Sequence, residues 1–131
     1  MDLVVDTSVL LSVLLSEPER AKLVALTAEV DLVAPGSVHW EIGNALSSML
    51  KRQRITLEQA MSILTAYEQI PLRLVEVSMR EAVSIAAEQN IYAYDAYLIA
   101  CARDQRAGLL SLDKALIAAA NQAGVSVLEV P

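Results

Sequence analysis

Several things are scarce in this 131-residue chain, and each scarcity excludes something. There is one cysteine, Cys101, so no internal disulfide can form, and a reducing, cytoplasmic setting is expected. No apolar run nears the roughly 20 residues that a membrane-crossing helix requires, so no membrane span is expected. Met1-Asp2 opens the chain without the basic stretch of a secretory leader. Internal repeats, low-complexity tracts and linkers are missing, which predicts one domain over residues 1–131. Basic charge is also short: ten Lys and Arg against sixteen Asp and Glu leave a net charge of −6. That balance argues against a protein that grips nucleic acid by bulk positive charge.

Apolar residues, by contrast, are plentiful. The hydrophobic fraction is 55% and the mean hydropathy +0.44, which suggests helices packed on both faces of a buried sheet, or an extra apolar surface for a partner. Short β-rich runs alternate with longer helical patterns, the signature of an α/β fold. The predicted strands are Leu3 to Asp6, Leu32 to Ala34, Leu72 to Val77, Gly108 to Leu112 and Val125 to Val130. Capping-box patterns open helices at Ser16-Glu17-Pro18-Glu19, Thr56-Leu57-Glu58-Gln59 and Ser78-Met79-Arg80-Glu81, predicting helices over Ser16 to Val30 and Thr56 to Ile70. Ser37 to Arg52, Tyr94 to Arg106 and Asp113 to Ala123 also read as helices, the last stopped by Gly124. Strands separated by helices imply a parallel sheet with right-handed crossovers, whose ligands collect beyond the carboxyl ends of the strands.

Four acidic residues sit where a lone charge is disfavoured. Asp6 ends Leu3-Val4-Val5, and Glu41 lies in an otherwise uncharged helical stretch. Asp95 is the only charge from Ile91 to Ala102, and Asp113 ends Leu109-Leu110-Ser111-Leu112. Burying a carboxylate alone is costly, so such residues pair with a cation or hold a metal, and cations are few here. If the first and fourth strands are neighbours, Asp6 and Asp113 would lie about 5 to 8 Å apart, given a strand spacing of about 4.8 Å. Each acid also has a plainer reading. Asp6, Asp95 and Asp113 each stand where a helix N-cap would, and Glu41 could be an ordinary exposed glutamate. Thr7 and Ser8 could cap the first helix in place of Asp6, leaving it free for a metal, with their hydroxyls orienting it. Glu41 shares a small polar face with Ser37, Asn44, Ala45 and Ser48, whereas His39 falls on another side of the helix and makes a poor candidate for a general base. Lys51, Arg52 and Arg54 form the only tight basic cluster, either a solvated helix end or a contact for phosphates. Tyr94 and Tyr97 flank Asp95, as packing residues or as stacking partners for an unpaired base.

Together, Val4-Val5-Asp6-Thr7-Ser8-Val9, Glu41-Ile42-Gly43-Asn44-Ala45-Leu46, Tyr94-Asp95-Ala96-Tyr97-Leu98-Ile99-Ala100 and Leu110-Ser111-Leu112-Asp113 resemble the PIN-domain family, specifically its VapC-type toxins. The four words come in that family's order and span nearly the whole chain, with Ser111 where the family often has threonine. The resemblance implies a parallel sheet of strand order 3-2-1-4-5 flanked by helices. It also implies metal-dependent endoribonuclease activity, usually in a dimer held inactive by a cognate antitoxin. Carboxylates suit Mg2+ or Mn2+, so Asp6 and Asp95 are expected as principal ligands, with Glu41 and Asp113 completing the site. Thr7, Ser8, Asn44 and Ser111 would support it. A PIN-type nuclease of RNA maturation or decay would carry the same residues. A phospho-receiver module would want an aspartate after its third strand, where Val75-Glu76-Val77-Ser78 stands, and a haloacid-dehalogenase-like phosphatase would want one at Ser8.

Overall fold

In the computed structural model, which describes all residues from 1 to 131, a four-stranded parallel sheet carries helices on both faces. The elements run β1 (Asp2–Val5), α1 (Thr7–Leu14), α2 (Arg20–Thr27), β2 (Asp31–Pro35), α3 (Ser37–Lys51) and α4 (Leu57–Glu68). They continue with β3 (Leu72–Val75), α5 (Met79–Gln89), α6 (Ala93–Gln105), β4 (Gly108–Leu110) and α7 (Lys114–Gln122). The strand order is β3-β2-β1-β4, with Leu3 opposite Leu32 and Gly108, and Val5 opposite Leu110. Leu3, Val4 and Val5 are all buried, as expected of a strand covered on both faces. α6 lies deepest of the helices: Ala96 and every residue from Leu98 to Ala102 are buried, including Cys101, whose thiol is pushed up to about 12 by that burial. Small side chains let it pass close over β1 and β2 while α5 packs along it. No helix is long and apolar enough to cross a membrane.

The predicted α/β architecture holds, with differences that have local causes. Val125 to Val130 does not form a fifth strand. It takes the fifth place beside β4, but only through a single parallel bridge from Leu109 to Val127, with Leu109 N–H donating to Ser126 O and Leu128 N–H to Leu109 O. β4 has only three residues, with Ser111 just past it donating to Asp6, so a fifth strand has little to pair with. The helix expected from Ser16 begins at Arg20 instead. Ser16 adopts a left-handed φ of 53° and helps close α1, and Glu19 at the N-cap makes no side-chain cap. Thr56 does form its capping box with Gln59, and Ser78 caps α5 by accepting from Glu81 N–H. Gly124, at φ 83°, turns the chain out of α7 as predicted.

Candidate active site

All four acids lie at the carboxyl end of the sheet or on the helices beside it. Asp6 follows β1, Asp113 follows β4, and the two strands are direct neighbours. Glu41 is reached from α3, which starts two residues after β2, and Asp95 sits in the first turn of α6.

Asp6 is the best-held of them. Only 4% of it is exposed, and its carboxylate accepts three hydrogen bonds: Val9 N–H to Oδ1 at 3.1 Å, Ser8 Oγ to Oδ1 at 2.6 Å and Ser111 Oγ to Oδ2 at 2.5 Å. The expectation that Thr7 or Ser8 would cap α1 in its place is therefore corrected. Asp6 is itself the N-cap, because the short aspartate side chain reaches Val9 N–H while Thr7 is already the first helical residue. Each serine that donates to Asp6 is in turn fed by a main-chain N–H. Leu112 N–H donates to Ser8 Oγ at 3.1 Å, and Asp113 N–H donates to Ser111 Oγ at 2.9 Å. These two amides were beyond sequence reasoning, since no side-chain pattern marks a main-chain donor. A carboxylate offers about four acceptor positions, so one on Oδ2 remains unused.

Asp113 is exposed and caps α7, with Oδ1 accepting from Ala115 N–H at 3.0 Å and Leu116 N–H at 3.3 Å. Its capping role and its place beside Asp6 are compatible. Glu41 is half-buried, and its Oε1 is sealed from solvent with no hydrogen-bond partner. The Thr7 hydroxyl lies close enough to lower the pKa of Glu41, yet it forms no bond of normal geometry and is itself buried without a partner. Leaving even a neutral buried polar group unpaired costs about 1 to 3 kcal/mol, and a charged one more, so a cation or a proton at Oε1 would relieve that cost.

The electrostatics tie the four together. Burial raises the pKa of Asp6 above its ordinary value, Asp113 adds to the rise, and the donors Ser111, Ser8 and Val9 oppose it. Burial raises Glu41, with the charges of Asp6 and Asp95 pushing the same way. Burial also raises Asp95, reinforced by Asp113 and Asp6. No basic side chain compensates them: the two ion pairs of the chain, Met1 with Asp31 and Arg73 with Asp2, lie elsewhere. The donor set is all oxygen and lacks a cation, which suits a hard divalent ion. As placed, no three of the acidic side chains come close enough to enclose one ion.

The remaining predicted residues lie on or just past the helices that carry Glu41 and Asp95. Asn44 is exposed one turn beyond Glu41, and Lys51 and Arg52 are exposed at the far end of α3 with Arg54 just past it. Tyr94 is 60% exposed and meets Tyr97 edge-on at 5.8 Å, while the Tyr97 hydroxyl donates to Met79 Sδ. His39 turns toward α4, where Nδ1 lies 3.1 Å from the Tyr67 hydroxyl, and so takes no part in the acidic site.

Comparison with known proteins gives the following. The family model described as "PIN domain" matches residues 3–122. No curated protein matches the chain significantly. Several solved structures are similar in fold at low identity. VapBC2 from Rickettsia felis, bound to a DNA fragment from their promoter, has 16% identity and a TM-score of 0.68, covering 98% of each chain. A toxin-antitoxin complex from Klebsiella pneumoniae has 17% identity and a TM-score of 0.62, covering 85% of this chain and 86% of that one. Mycobacterium tuberculosis VapC20, a sarcin-ricin loop cleaving toxin, has 15% identity and a TM-score of 0.62, covering 89% and 94%.

Proposed function

The chain belongs to the PIN-domain family, and on that premise we propose that it is a metal-dependent endoribonuclease, the toxin of a toxin-antitoxin pair. The observation that carries this reading is the set of four acids at or beside the carboxyl end of the sheet, of which Asp6, Asp95 and Asp113 each raise the pKa of another and none is paired with a cation. That arrangement costs stability unless a cation shares it.

Asp6 and Asp95 would be the principal ligands of Mg2+ or Mn2+, and Glu41 and Asp113 would complete the set directly or through water. Bound there, a divalent ion supplies an acidified water as nucleophile and positive charge against the leaving oxygen of an RNA phosphodiester. The chain's own contribution is placement. Ser8 and Ser111 fix the plane of the Asp6 carboxylate, so its free Oδ2 position keeps one direction. Glu41 offers an oxygen with no competing donor, and Thr7 stands beside it to hold a water or turn the carboxylate. The exposed amide of Asn44, on the same side of α3, can orient a ligand water or the substrate.

The partner reading rests on the similar structures and on composition. One of those structures is a toxin-antitoxin complex, and another is named as a toxin that cleaves the sarcin-ricin loop. The exposed apolar side chains of Trp40, Leu57, Met61 and Val83 supply surface for a homodimer and for an antitoxin segment.

The test is RNA cleavage by purified protein. Activity is expected with Mg2+ or Mn2+, lost in EDTA, and lost in Asp6→Asn and Asp95→Asn variants that keep their fold; Asn44→Ala should retain part of it. Undiminished cleavage by the folded double variant would overturn the assignment.

A further inference from the structure

We propose that the last three turns of α3 carry a second substrate contact, a site for an RNA backbone phosphate formed by Lys51 and Arg52 with Ser48 and Asn44. It would hold the strand a few nucleotides from the acidic crevice. This proposal rests on the ribonuclease reading above and names how an acidic protein engages a polyanion.

A surface hollow of about 520 Å³ is lined by Asn44, Ser47, Ser48, Lys51 and Arg52 and by nothing else. It contains no apolar and no acidic side chain, and every lining residue can donate a hydrogen bond. Amide, hydroxyl, ammonium and guanidinium groups are the donors that proteins use on phosphate oxygens. The hollow and Glu41 share helix α3. At about 100° per residue, Glu41, Ser48 and Arg52 fall on the same side of α3, with Arg52 about 16 Å along the axis at 1.5 Å per residue. A strand leaving the acids along this face meets the small side chains of Ala45 and Ser48 and then the cations.

The cations are also uncommitted. Arg73 pairs with Asp2, and Arg20, Lys22 and Arg103 donate to main-chain carbonyls, whereas Lys51 and Arg52, like Arg54, Arg80, Arg106 and Lys114, have no side-chain partner; Lys51 and Arg52 are the two that line this hollow. On a chain of net charge −6, most of the surface repels phosphate. Two adjacent free cations on the helix that bears Glu41 offset that repulsion where it matters. Charge complementing the C-terminal end of α3 would also place cations there, and it predicts an effect on stability without an effect on RNA.

The two roles separate in a binding experiment on the whole protein. An end-labelled single-stranded oligoribonucleotide is titrated by fluorescence anisotropy across a salt series, with Asp95→Asn as the non-cleaving background. Lys51→Gln/Arg52→Gln should weaken binding about tenfold, the upper range for two exposed ionic contacts. The slope of log affinity against log salt should fall by about 0.7 per lost contact, alike for different RNA sequences. Arg106→Gln, which removes an exposed cation elsewhere, should leave both nearly unchanged. Affinity and slope unaltered by the Lys51 and Arg52 substitutions, with wild-type cleavage intact, would overturn this site alone. An equal loss in Arg106→Gln would overturn it in favour of net charge. Protein that neither binds nor cleaves RNA would overturn the ribonuclease reading as well. If the double variant unfolds, Lys51→Gln and Arg52→Gln separately decide the matter on the same criteria.

Discussion

Ser111→Ala is the sharpest test of how Asp6 is held. The hydroxyl is 2% exposed, donates to Asp6 Oδ2 at 2.5 Å and accepts from Asp113 N–H at 2.9 Å. A hydrogen bond to an ionised group contributes about 1.5 to 3 kcal/mol, against about 1 kcal/mol for a neutral one. The substitution should therefore cost about 1 kcal/mol while Asp6 is protonated and about 2 to 3 kcal/mol once it is ionised. The direction follows from linkage. Burial already raises Asp6 from its ordinary value of 3.8, and Ser111 opposes that rise, so losing Ser111 raises the folded-state pKa further. A group raised on folding contributes stability that is present below its unfolded pKa and lost as pH rises through its folded value, so the variant loses more than the wild type over that interval. The assay is urea unfolding in EDTA, from pH near that ordinary value to about pH 8. At a typical slope of about 2 kcal/mol per molar urea, the midpoint gap between the two proteins should widen from about 0.5 M to over 1 M. A gap that stays constant across the range would refute the idea that Ser111 supports a charged carboxylate. Ser111→Thr keeps the hydroxyl and should recover most of the pH-dependent part.

Two other outcomes are expected. The metal-free protein should lose stability as pH rises above the ordinary carboxylate range, because Asp6, Glu41 and Asp95 are all raised in the fold. Melting curves with millimolar Mn2+ should therefore diverge upward from those in EDTA as pH rises, since binding needs the deprotonated ligands; superimposed curves at every pH would sink the metal site. At micromolar concentration the protein should run as a dimer on size-exclusion chromatography, and a co-expressed antitoxin should suppress its cleavage. A monomer indifferent to the antitoxin would remove both partners.

Much of the site was legible because its acids terminate apolar words. Asp6 after Leu3-Val4-Val5 and Asp113 after the β4 run both mark strand ends, and a parallel sheet brings such ends to one edge. The Thr56 capping box was legible for a related reason, since both partners lie within four residues. Long-range facts were not. That Asp6 would be held on Oδ2 as well as capping α1 depends on Ser111, which is 105 residues away in sequence. The fifth strand failed for a like reason: Val125 to Val130 has the residues of a strand, but its distant partner β4 is only three residues long and a single bridge forms. Ser16 has the pattern of a cap, yet closing α1 fixes it in the left-handed region before α2 begins.

The bond between Ser111 and Asp6 also sets a schedule. β1 leaves the ribosome well before its neighbour β4, and Asp6 precedes the serine that bonds its Oδ2 by 105 residues. At about 5 to 20 residues per second, that interval lasts about 5 to 20 s, plus the time for the tail to clear the exit tunnel. Until then Asp6 has only its local donors, Ser8 and Val9, on Oδ1, its Oδ2 is unpartnered, and β1 lacks one side of its sheet.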